Sequence, residues 1–92
     1  MRNGASKKIE VHATKLNIRT RNLFELLRAK RAELTHKQGV PAYIIFGDKS
    51  LKDMASRKPT TRTAFAEVFG VGEYKLKIYA EQFIGVIKDQ GK

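Results

Sequence analysis

Apolar residues recur at helical spacing in three stretches of the chain. The strongest period lies within residues 73–89, where apolar positions follow one another at steps of three and four residues. Residues 21–38 carry a similar stripe, which Phe24 and Leu26 widen, and residues 49–57 carry a shorter one. The positions that the three stripes predict to face a core are Leu23, Leu27, Leu34, Leu51, Met54, Ala55, Leu76, Tyr79, Ala80, Phe83, Val86 and Ile87. Such stripes are typical of amphipathic helices that pack on one another.

Capping and turn residues predict where the helices in the first half of the chain begin and end. Thr20 is the predicted N-cap of the helix over residues 21–38, and Gly39 is its predicted C-terminal stop. Pro41 has a φ suited to a first helical turn, and it opens the apolar segment 41–46. By propensity this segment could be a strand, since Ile and Tyr favour strands. Because helices flank it, we interpret it as a short buried helix.

The second half of the chain has similar boundaries. Gly47 and Asp48 precede the helix over residues 49–57 as capping residues. Pro59 ends that helix, because the residue before a proline disfavours the α region. Thr61 is the predicted N-cap of a fourth helix. The residues of this helix predicted to face inward are Phe65, Val68 and Phe69. The whole pattern predicts an all-α fold, a compact bundle of five helices with short connections.

Two glycines frame one apolar residue in the turn before the fifth helix. Glycine accepts a positive φ and the close approach of another backbone, so Gly70 and Gly72 suit a tight turn. The N–H groups at the start of the next helix, together with the helix dipole, favour an anion such as phosphate. Val71 is predicted to point into the core, and Lys75 and Lys77 follow closely enough to add positive charge. A plain helix–helix turn explains the two glycines equally well.

The 92 residues suffice for one small domain, and they carry an excess of positive charge. Lys and Arg number 19 against 9 Asp and Glu, a net charge of +10. This excess favours a polyanionic partner, nucleic acid first and an anionic membrane surface second. Residues 1–31 hold nine of the basic residues and two of the acidic ones. We interpret residues 1–20 as a basic, partly disordered arm or linker and residues 21–90 as the folded domain. A solvated tail that only aids solubility is the alternative.

Several function classes lack the residues that they need. The chain has no cysteine, which excludes disulfides and thiolate metal sites. No apolar run approaches the roughly 20 residues of a membrane span, and the N-terminus lacks the apolar segment of a signal peptide. A nucleophile–base pair would need His12 or His36 beside a hydroxyl and an orienting acid, but one lies in the predicted arm and the other at a helix end. We expect a cytoplasmic, monomeric domain without enzymatic activity, cofactor or metal.

Tyr43 is the candidate for contact with a base. An exposed tyrosine among basic residues can stack on an unpaired base while lysines hold the phosphate backbone. A core residue with only its hydroxyl at the surface agrees equally well with the sequence. Arg57, Lys58 and Arg62 flank the Pro-Thr-Thr turn, and Lys37 lies at the end of the first helix. These cations either join into one phosphate-binding patch or are separate solvated charges.

Four segments, in this order and at this spacing, resemble the helicase-and-RNase-D C-terminal (HRDC) domain. They are Gly39-Val40-Pro41-Ala42-Tyr43-Ile44-Ile45-Phe46-Gly47-Asp48-Lys49-Ser50-Leu51, Met54-Ala55, Lys58-Pro59-Thr60-Thr61 and Phe69-Gly70-Val71-Gly72-Glu73-Tyr74-Lys75-Leu76. The resemblance covers about residues 21–89 and is greatest to the copy in bacterial RecQ DNA helicases. It implies an accessory domain that binds single-stranded or partial-duplex DNA weakly, within an ATP-dependent helicase of DNA repair and recombination.

The resemblance also implies roles for particular residues. In RecQ-like copies an aromatic residue after the Val-Pro element contacts DNA, and Tyr43 occupies that position. The basic contacts differ between members, and here we expect them among Lys37, Arg57, Lys58, Lys75 and Lys77. The glycine turn resembles half of a helix–hairpin–helix unit, which supports phosphate binding at Gly70 and Gly72.

Two positions depart from the family pattern. Ala42 replaces the second proline of the usual pair, which loosens the approach to Tyr43. Ala64 replaces the acid that usually follows the Thr-Thr cap, so no capping box forms.

Two other functions stay open. One is a protein-interaction module that docks on its own helicase core or on a partner, as the neutral or acidic members of the family suggest. The other is RNA binding within an RNase D-like exoribonuclease. The net charge of +10 favours nucleic acid over docking, and the segment around Tyr43 is more similar to the RecQ copies. No P-loop occurs in these 92 residues, so ATP-dependent chemistry would belong to the parent protein.

Overall fold

The chain forms helices joined by short loops, and the computed structural model describes the backbone of residues 4–91 and the side chains of residues 19–90. The helices are α1 (Gly4–Gln38), α2 (Ala42–Ile45), α3 (Asp48–Arg57), α4 (Arg62–Phe65) and α5 (Glu73–Gly91). Residues 4–91 contain no strand, so the predicted all-α class with five helices is confirmed. No helix in this range is both long and apolar enough to cross a membrane. The predicted arm over residues 1–20 lies largely outside the described side chains and stays a prediction.

Helix α1 ends where the sequence predicts but begins earlier. Gly39 has a φ of +65°, and its N–H donates to the Thr35 carbonyl at 2.8 Å. A left-handed glycine of this kind closes a helix. Thr20 lies inside α1, so the prediction that it caps the helix is wrong. The reason is that residues 5–38 contain neither glycine nor proline, the residues that most strongly interrupt a helix.

Helix α2 is a single turn, as the helical interpretation of its apolar segment predicted. Pro41 does not lie in its first turn but immediately precedes it as the N-cap, with φ −63° and ψ 153°. The Phe46 N–H donates to the Ala42 carbonyl at 3.2 Å, and Phe46 itself returns to an extended conformation. This short turn sends Ile45 and Phe46 into the core.

Helix α3 has a glycine N-cap and an unusual C-terminus. Gly47 is its N-cap without a side-chain hydrogen bond, and Asp48 is its first residue. At the other end Lys58 is left-handed, with φ 50° and ψ 54°, and its N–H donates to the Met54 carbonyl at 2.8 Å. A lysine in this region is uncommon, because its Cβ crowds the backbone. Pro59 follows and is buried, so the predicted stop at the Lys-Pro pair is confirmed.

Helix α4 begins at the predicted cap and is shorter than its apolar pattern suggests. The Thr61 hydroxyl oxygen accepts the Ala64 N–H at 3.1 Å. Beyond Phe65 the chain continues in tight turns, in which the Val68 N–H donates to the Phe65 carbonyl at 3.1 Å. The tighter winding changes the direction of the next side chain, and Phe69 is 52% exposed. The prediction that Phe69 faces inward is therefore wrong.

Aromatic rings form the centre of the core. Phe46 is fully buried and makes edge-to-face contacts with Phe65, Tyr79 and Phe83, with ring centroids 5.2–6.1 Å apart. Predicted core residues that are indeed buried are Leu23, Leu27, Leu34, Leu51, Met54, Ala55, Phe65, Val68, Tyr79, Ala80, Phe83 and Ile87. Residues predicted to be buried that are only half-buried against this core are Val71, Leu76 and Val86. Leu26, predicted to widen the apolar face of α1, is 45% exposed.

Helix α5 runs antiparallel to α1 along the bundle. The Tyr79 hydroxyl donates to Gln38 Oε1 at 3.1 Å, at the C-terminus of α1. Farther along α5, Val86 shares a groove with Leu26 of α1. The start of α5, α2 and the C-terminus of α1 therefore meet at one end of the bundle, which we call the α2 end. The arrangement brings residues from the two halves of the chain onto one surface.

Arg31 links α1 to the loop between α2 and α3. Its guanidinium donates to the Phe46 carbonyl at 2.9 Å and forms an ion pair with Asp48 Oδ1 at 2.8 Å. The side chain of Arg31 is nearly buried. In the sequence Arg31 is one of the basic residues of positions 1–31, and the structure gives it a role in packing. Burying a charged group is costly unless it is paired and hydrogen-bonded, and Arg31 has a carboxylate and a carbonyl as partners.

Candidate nucleic-acid interface

Tyr43 projects into solvent from the single turn of α2. Its side chain is 70% exposed, and that of the neighbouring Ile44 is partly exposed too. The turn places Ile45 and Phe46 inside, so Tyr43 lies on the opposite side. Of the two interpretations left open by the sequence, the core residue is therefore wrong and the exposed aromatic is right.

Basic residues from both long helices lie at the same α2 end. Lys37 is exposed and precedes Gln38, whose side-chain oxygen binds Tyr79 of α5. Lys75 lies one turn before Tyr79, and its Nζ is 5.4 Å from the centroid of the Phe46 ring. A cation over a ring face is attracted by the ring quadrupole. This contact draws the ammonium of Lys75 toward the end of α2, whereas Lys77 is exposed on α5.

The two glycines of the turn have different requirements. Gly70 has a φ of +77°, and a Cβ at this position would lie 2.6 Å from Ser50 Oγ. Gly72 does not have a positive φ, and a Cβ there would meet nothing within 4 Å. The Gly72 carbonyl accepts the Leu76 N–H at 2.9 Å, which makes Gly72 the N-cap of α5. Of these two positions, only position 70 therefore requires glycine, because of its positive φ and the close contact with Ser50.

The start of α5 has the features of an anion site and one opposing charge. The N–H groups in the first turn of a helix have no acceptor within that helix. They and the helix dipole favour an anion. Glu73 is the acidic residue in this turn, and its carboxylate competes with a phosphate for the same N–H groups.

Asp53 ties the glycine turn to α3. Its Oδ2 accepts both the Phe69 backbone N–H and the Arg57 Nε–H, each at 2.8 Å. The Phe69 N–H holds the pKa of Asp53 below its ordinary value of 3.8, and the Arg57 guanidinium lowers that pKa further. Arg57 is thus fixed by an acid, although its side chain is half exposed. Its remaining N–H groups stay on the surface of α3.

The predicted site residues do not all lie on one surface. Lys58 lines a groove with Arg19, Thr60, Ile87 and Gln90, near the far end of α5. Lys75 lies in the first turn of the same helix, at the α2 end. The structure therefore places Lys37, Tyr43 and Lys75 on elements that meet at the α2 end, and it separates Lys58 from them.

Two exposed aromatic residues and two lysines were not predicted as site residues. Phe69 shares a groove with Lys49 and Lys52 of α3. Tyr74, which is 72% exposed, entered only as part of the family pattern. The available signal was the three-residue step from Lys49 to Lys52, because residues at this step are neighbours on a helix surface.

A family model for the HRDC domain matches residues 20–87 of the chain. The chain belongs to the HRDC domain family. HRDC domain 3 of D. radiodurans RecQ has a similar solved structure, with a TM-score of 0.74 and 34% identity, over 76% of this chain and 92% of that one. The resemblance to RecQ-type HRDC domains inferred from the sequence is thereby confirmed.

The curated proteins that this HRDC domain matches are DNA helicases. It is 36% identical over 72 residues to the ATP-dependent DNA helicase RecQ of Pasteurella multocida and 38% identical over 66 residues to that of Bacillus subtilis. These alignments cover 78% and 72% of this chain but 11% of each helicase. The ATP-dependent DNA helicase UvrD2 of Mycobacterium tuberculosis is 31% identical over 62 residues, which are 67% of this chain and 9% of that helicase. The chain thus spans about a tenth of the length of its relatives.

Proposed function

We propose that this HRDC domain is an accessory nucleic-acid-binding module of a RecQ-type ATP-dependent DNA helicase. In this proposal it binds single-stranded or partial-duplex DNA weakly and tunes the choice of substrate. The observation that carries the proposal is the 70% exposure of Tyr43 at the α2 end, where α1 and α5 also contribute Lys37 and Lys75. An aromatic ring left in water beside lysines suits a ligand that offers both a base and a phosphate.

Binding at the α2 end would combine stacking with phosphate contacts. Tyr43 stacks on an unpaired base, while Lys37 and Lys75 lie against the adjoining phosphates. The turn at Gly70 and Gly72 presents the start of α5 to a further phosphate, with Lys77 beside it. Arg57 and Lys58 extend the basic surface along and beyond α3. Because stacking tolerates any base, such binding depends on single-stranded character more than on sequence.

The catalytic work in this proposal belongs to other parts of the parent protein. The domain binds DNA beside the helicase core, and the core hydrolyses ATP and separates the strands. Since the aligned part of this chain covers only 11% of each of these relatives, they have room for that core. The surplus of 19 basic over 9 acidic residues raises the rate at which the domain encounters DNA.

The test is a binding measurement on residues 1–92 with a short single-stranded DNA at several salt concentrations. The unmodified chain is expected to bind in the micromolar range or more weakly, with a strong dependence on salt. Tyr43→Ala should weaken binding by about 1–3 kcal/mol, the usual range for loss of one stacking contact, without changing the salt slope. Lys75→Ala should instead reduce the slope by about 0.7, the value expected for one phosphate contact on a single strand.

Matched variants separate the folded surface from the N-terminal segment. Tyr43→Phe keeps the ring and should bind like the unmodified chain. Lys7→Gln with Lys8→Gln removes two charges from the predicted arm and reports what that arm adds. If Tyr43→Ala binds as well as Tyr43→Phe, the stacking role is wrong. Absence of DNA binding at low salt, together with docking on a RecQ helicase core, would favour the interaction module instead. Tighter binding to structured RNA than to DNA would favour the RNase D setting.

A further inference from the structure

The outer face of α3 carries a second exposed aromatic among cations. Phe69 is 52% exposed, and it lines a groove with Lys49, Lys52, Asp53, Ser56 and Arg57, which we call the α3 groove. Lys49 Nζ lies 4.6 Å from the centroid of the Phe69 ring. An exposed phenyl ring is costly in water unless something covers it. Here a lysine ammonium, which a phosphate would also attract, lies over the ring.

Two contacts hold this ring in place. The Phe69 N–H donates to Asp53 Oδ2 at 2.8 Å, which fixes the backbone on α3. The next residue, Gly70, packs so closely on Ser50 that a Cβ there would meet Ser50 Oγ at 2.6 Å. The backbone at Phe69 is thus held by contacts with α3 on both sides. A preformed ring loses little conformational freedom when a ligand stacks on it.

Three cations of α3 line this groove, namely Lys49, Lys52 and Arg57. Lys49 and Lys52 are three residues apart, so their side chains are neighbours on the helix surface, and Arg57 lies at the C-terminus of the same helix. Asp53 is the acid of the groove, and its Oδ2 is engaged by Arg57 and by Phe69. The groove therefore offers three cations, an engaged carboxylate and one aromatic face. This combination suits a strand of phosphates and unpaired bases better than an acidic peptide, which offers no planar base for the ring.

We infer that the α3 groove is a second contact for single-stranded nucleic acid, in which Phe69 stacks on a base and Lys49, Lys52 and Arg57 bind phosphates. The inference rests on the proposed nucleic-acid-binding function and adds a surface that this function does not require. Lys49 leaves the ring when a base stacks on it and binds the phosphate next to that base. The groove then extends the path of a strand beyond the single aromatic contact at Tyr43.

A fluorescence experiment can observe this contact directly, because the chain contains no tryptophan. Phe69→Trp places one indole in the α3 groove of the full 92-residue chain. Titration with a short oligothymidylate should quench its emission, since a stacked base quenches indole. Leu26→Trp is the matched control, because Leu26 is a comparably exposed apolar residue in a groove between α1 and α5. Its emission should not change.

Affinity measurements on the same oligonucleotide test the energetic side. Phe69→Ala should weaken binding at least about fivefold, the lower limit for loss of one stacked base. Lys52→Ala should reduce the salt slope by about 0.7. Lys88→Ala, which removes an exposed lysine from the last turn of α5, should leave the slope unchanged. Thermal melting of each variant shows whether the fold is retained.

The outcomes separate this inference from the function on which it rests. If Tyr43→Trp is quenched by the oligonucleotide while Phe69→Trp is silent, the α3 groove is not a DNA contact and the proposed function stands. If Phe69→Ala binds as tightly as Leu26→Ala, the inference is likewise overturned. If no variant and no unmodified chain binds DNA at low salt, both are overturned. Quenching of Phe69→Trp together with the loss of affinity in Phe69→Ala supports the second contact.

Discussion

Phe46 and Phe69 are two phenylalanines with a lysine over each ring, and they belong to opposite kinds of region. Phe46 is fully buried and touches three other rings in the core. Phe69 is half exposed at the rim of a basic groove. The lysine nitrogen is 5.4 Å from the first centroid and 4.6 Å from the second. A similar lysine–phenylalanine contact therefore occurs in a buried and in an exposed environment.

The difference lies in what surrounds each pair. The Phe46 ring contacts three other rings, its carbonyl accepts a hydrogen bond from Arg31, and the Lys75 ammonium lies 5.4 Å from the ring centroid. The Phe69 ring is half exposed to solvent, and the Lys49 side chain covers part of it. A phenylalanine that stabilises the fold can thus be told from one available to a ligand by its burial and partners, and not by residue type. Substitutions at the two positions should separate stability from binding.

The largest expected effect is that of Phe46→Ala. Removing a fully buried aromatic side chain costs about 3–5 kcal/mol of unfolding free energy, because it loses burial and leaves a cavity. Phe69→Ala should change the unfolding free energy by roughly 0.5 kcal/mol or less, as is usual for surface positions. Urea denaturation of both variants measures the contrast. Similar destabilisation by the two substitutions would contradict the division into core and surface.

The next effect is that of Gly70→Ala, which tests whether the turn that carries Phe69 is rigid. The substitution combines a left-handed backbone with a contact of 2.6 Å to Ser50 Oγ. We expect a loss of about 1–3 kcal/mol in unfolding free energy, since a non-glycine residue in a strained conformation costs about that much. Gly72→Ser is the control, because Gly72 lacks positive φ and serine is a favourable N-cap.

A second substitution divides the Gly70 effect into its two causes. Ser50→Ala removes the hydroxyl that a Cβ at position 70 would meet. In the double variant Ser50→Ala with Gly70→Ala, the steric part should be recovered and the backbone strain should remain. A Gly70→Ala protein as stable as Gly72→Ser would show that the turn adapts, and the Phe69 ring would then not be rigidly held.

Much of the fold was predictable because local signals agree with the global arrangement. Thr61 caps its helix and Gly39 ends another by interactions within a few residues, which a sequence displays directly. The position of Phe69 was not predictable, because its helix ends at Phe65 and tight turns replace the period on which the prediction depended. Arg31 was missed for a different reason. Its partners, the Phe46 carbonyl and Asp48, lie 15 and 17 residues away, and only the packing of α2 brings them to it.

The candidate site divides in the same way. Tyr43 could be named from its place beside Pro41, but its exposure depended on which side of a single turn faces the core. The contact of Asp53 with Arg57 and with the Phe69 N–H joins α3 to the segment between α4 and α5. A periodic pattern in the sequence does not predict such a contact, since it joins a side chain to a backbone group 16 residues away.

The smallest expected effect concerns pH, and it tests the joint that fixes Phe69 to α3. The pKa of Asp53 lies below its ordinary value of 3.8, chiefly because the carboxylate accepts the Phe69 N–H. A group whose native pKa is depressed stabilises the fold above its unfolded pKa, and that contribution is lost as the pH falls through the native pKa. The unfolding free energy should therefore decline between roughly pH 5 and pH 2.

Asp53→Asn keeps an oxygen for the Phe69 N–H but removes this titration. Its stability should be slightly lower at neutral pH, by less than about 1 kcal/mol for a pair at the surface, and should decline less on acidification. Glu81→Gln removes an exposed carboxylate of α5 and controls for the change in net charge. Urea midpoints across this range provide the measurement, and an acid decline as steep in Asp53→Asn as in Glu81→Gln would show that Asp53 does not hold the turn.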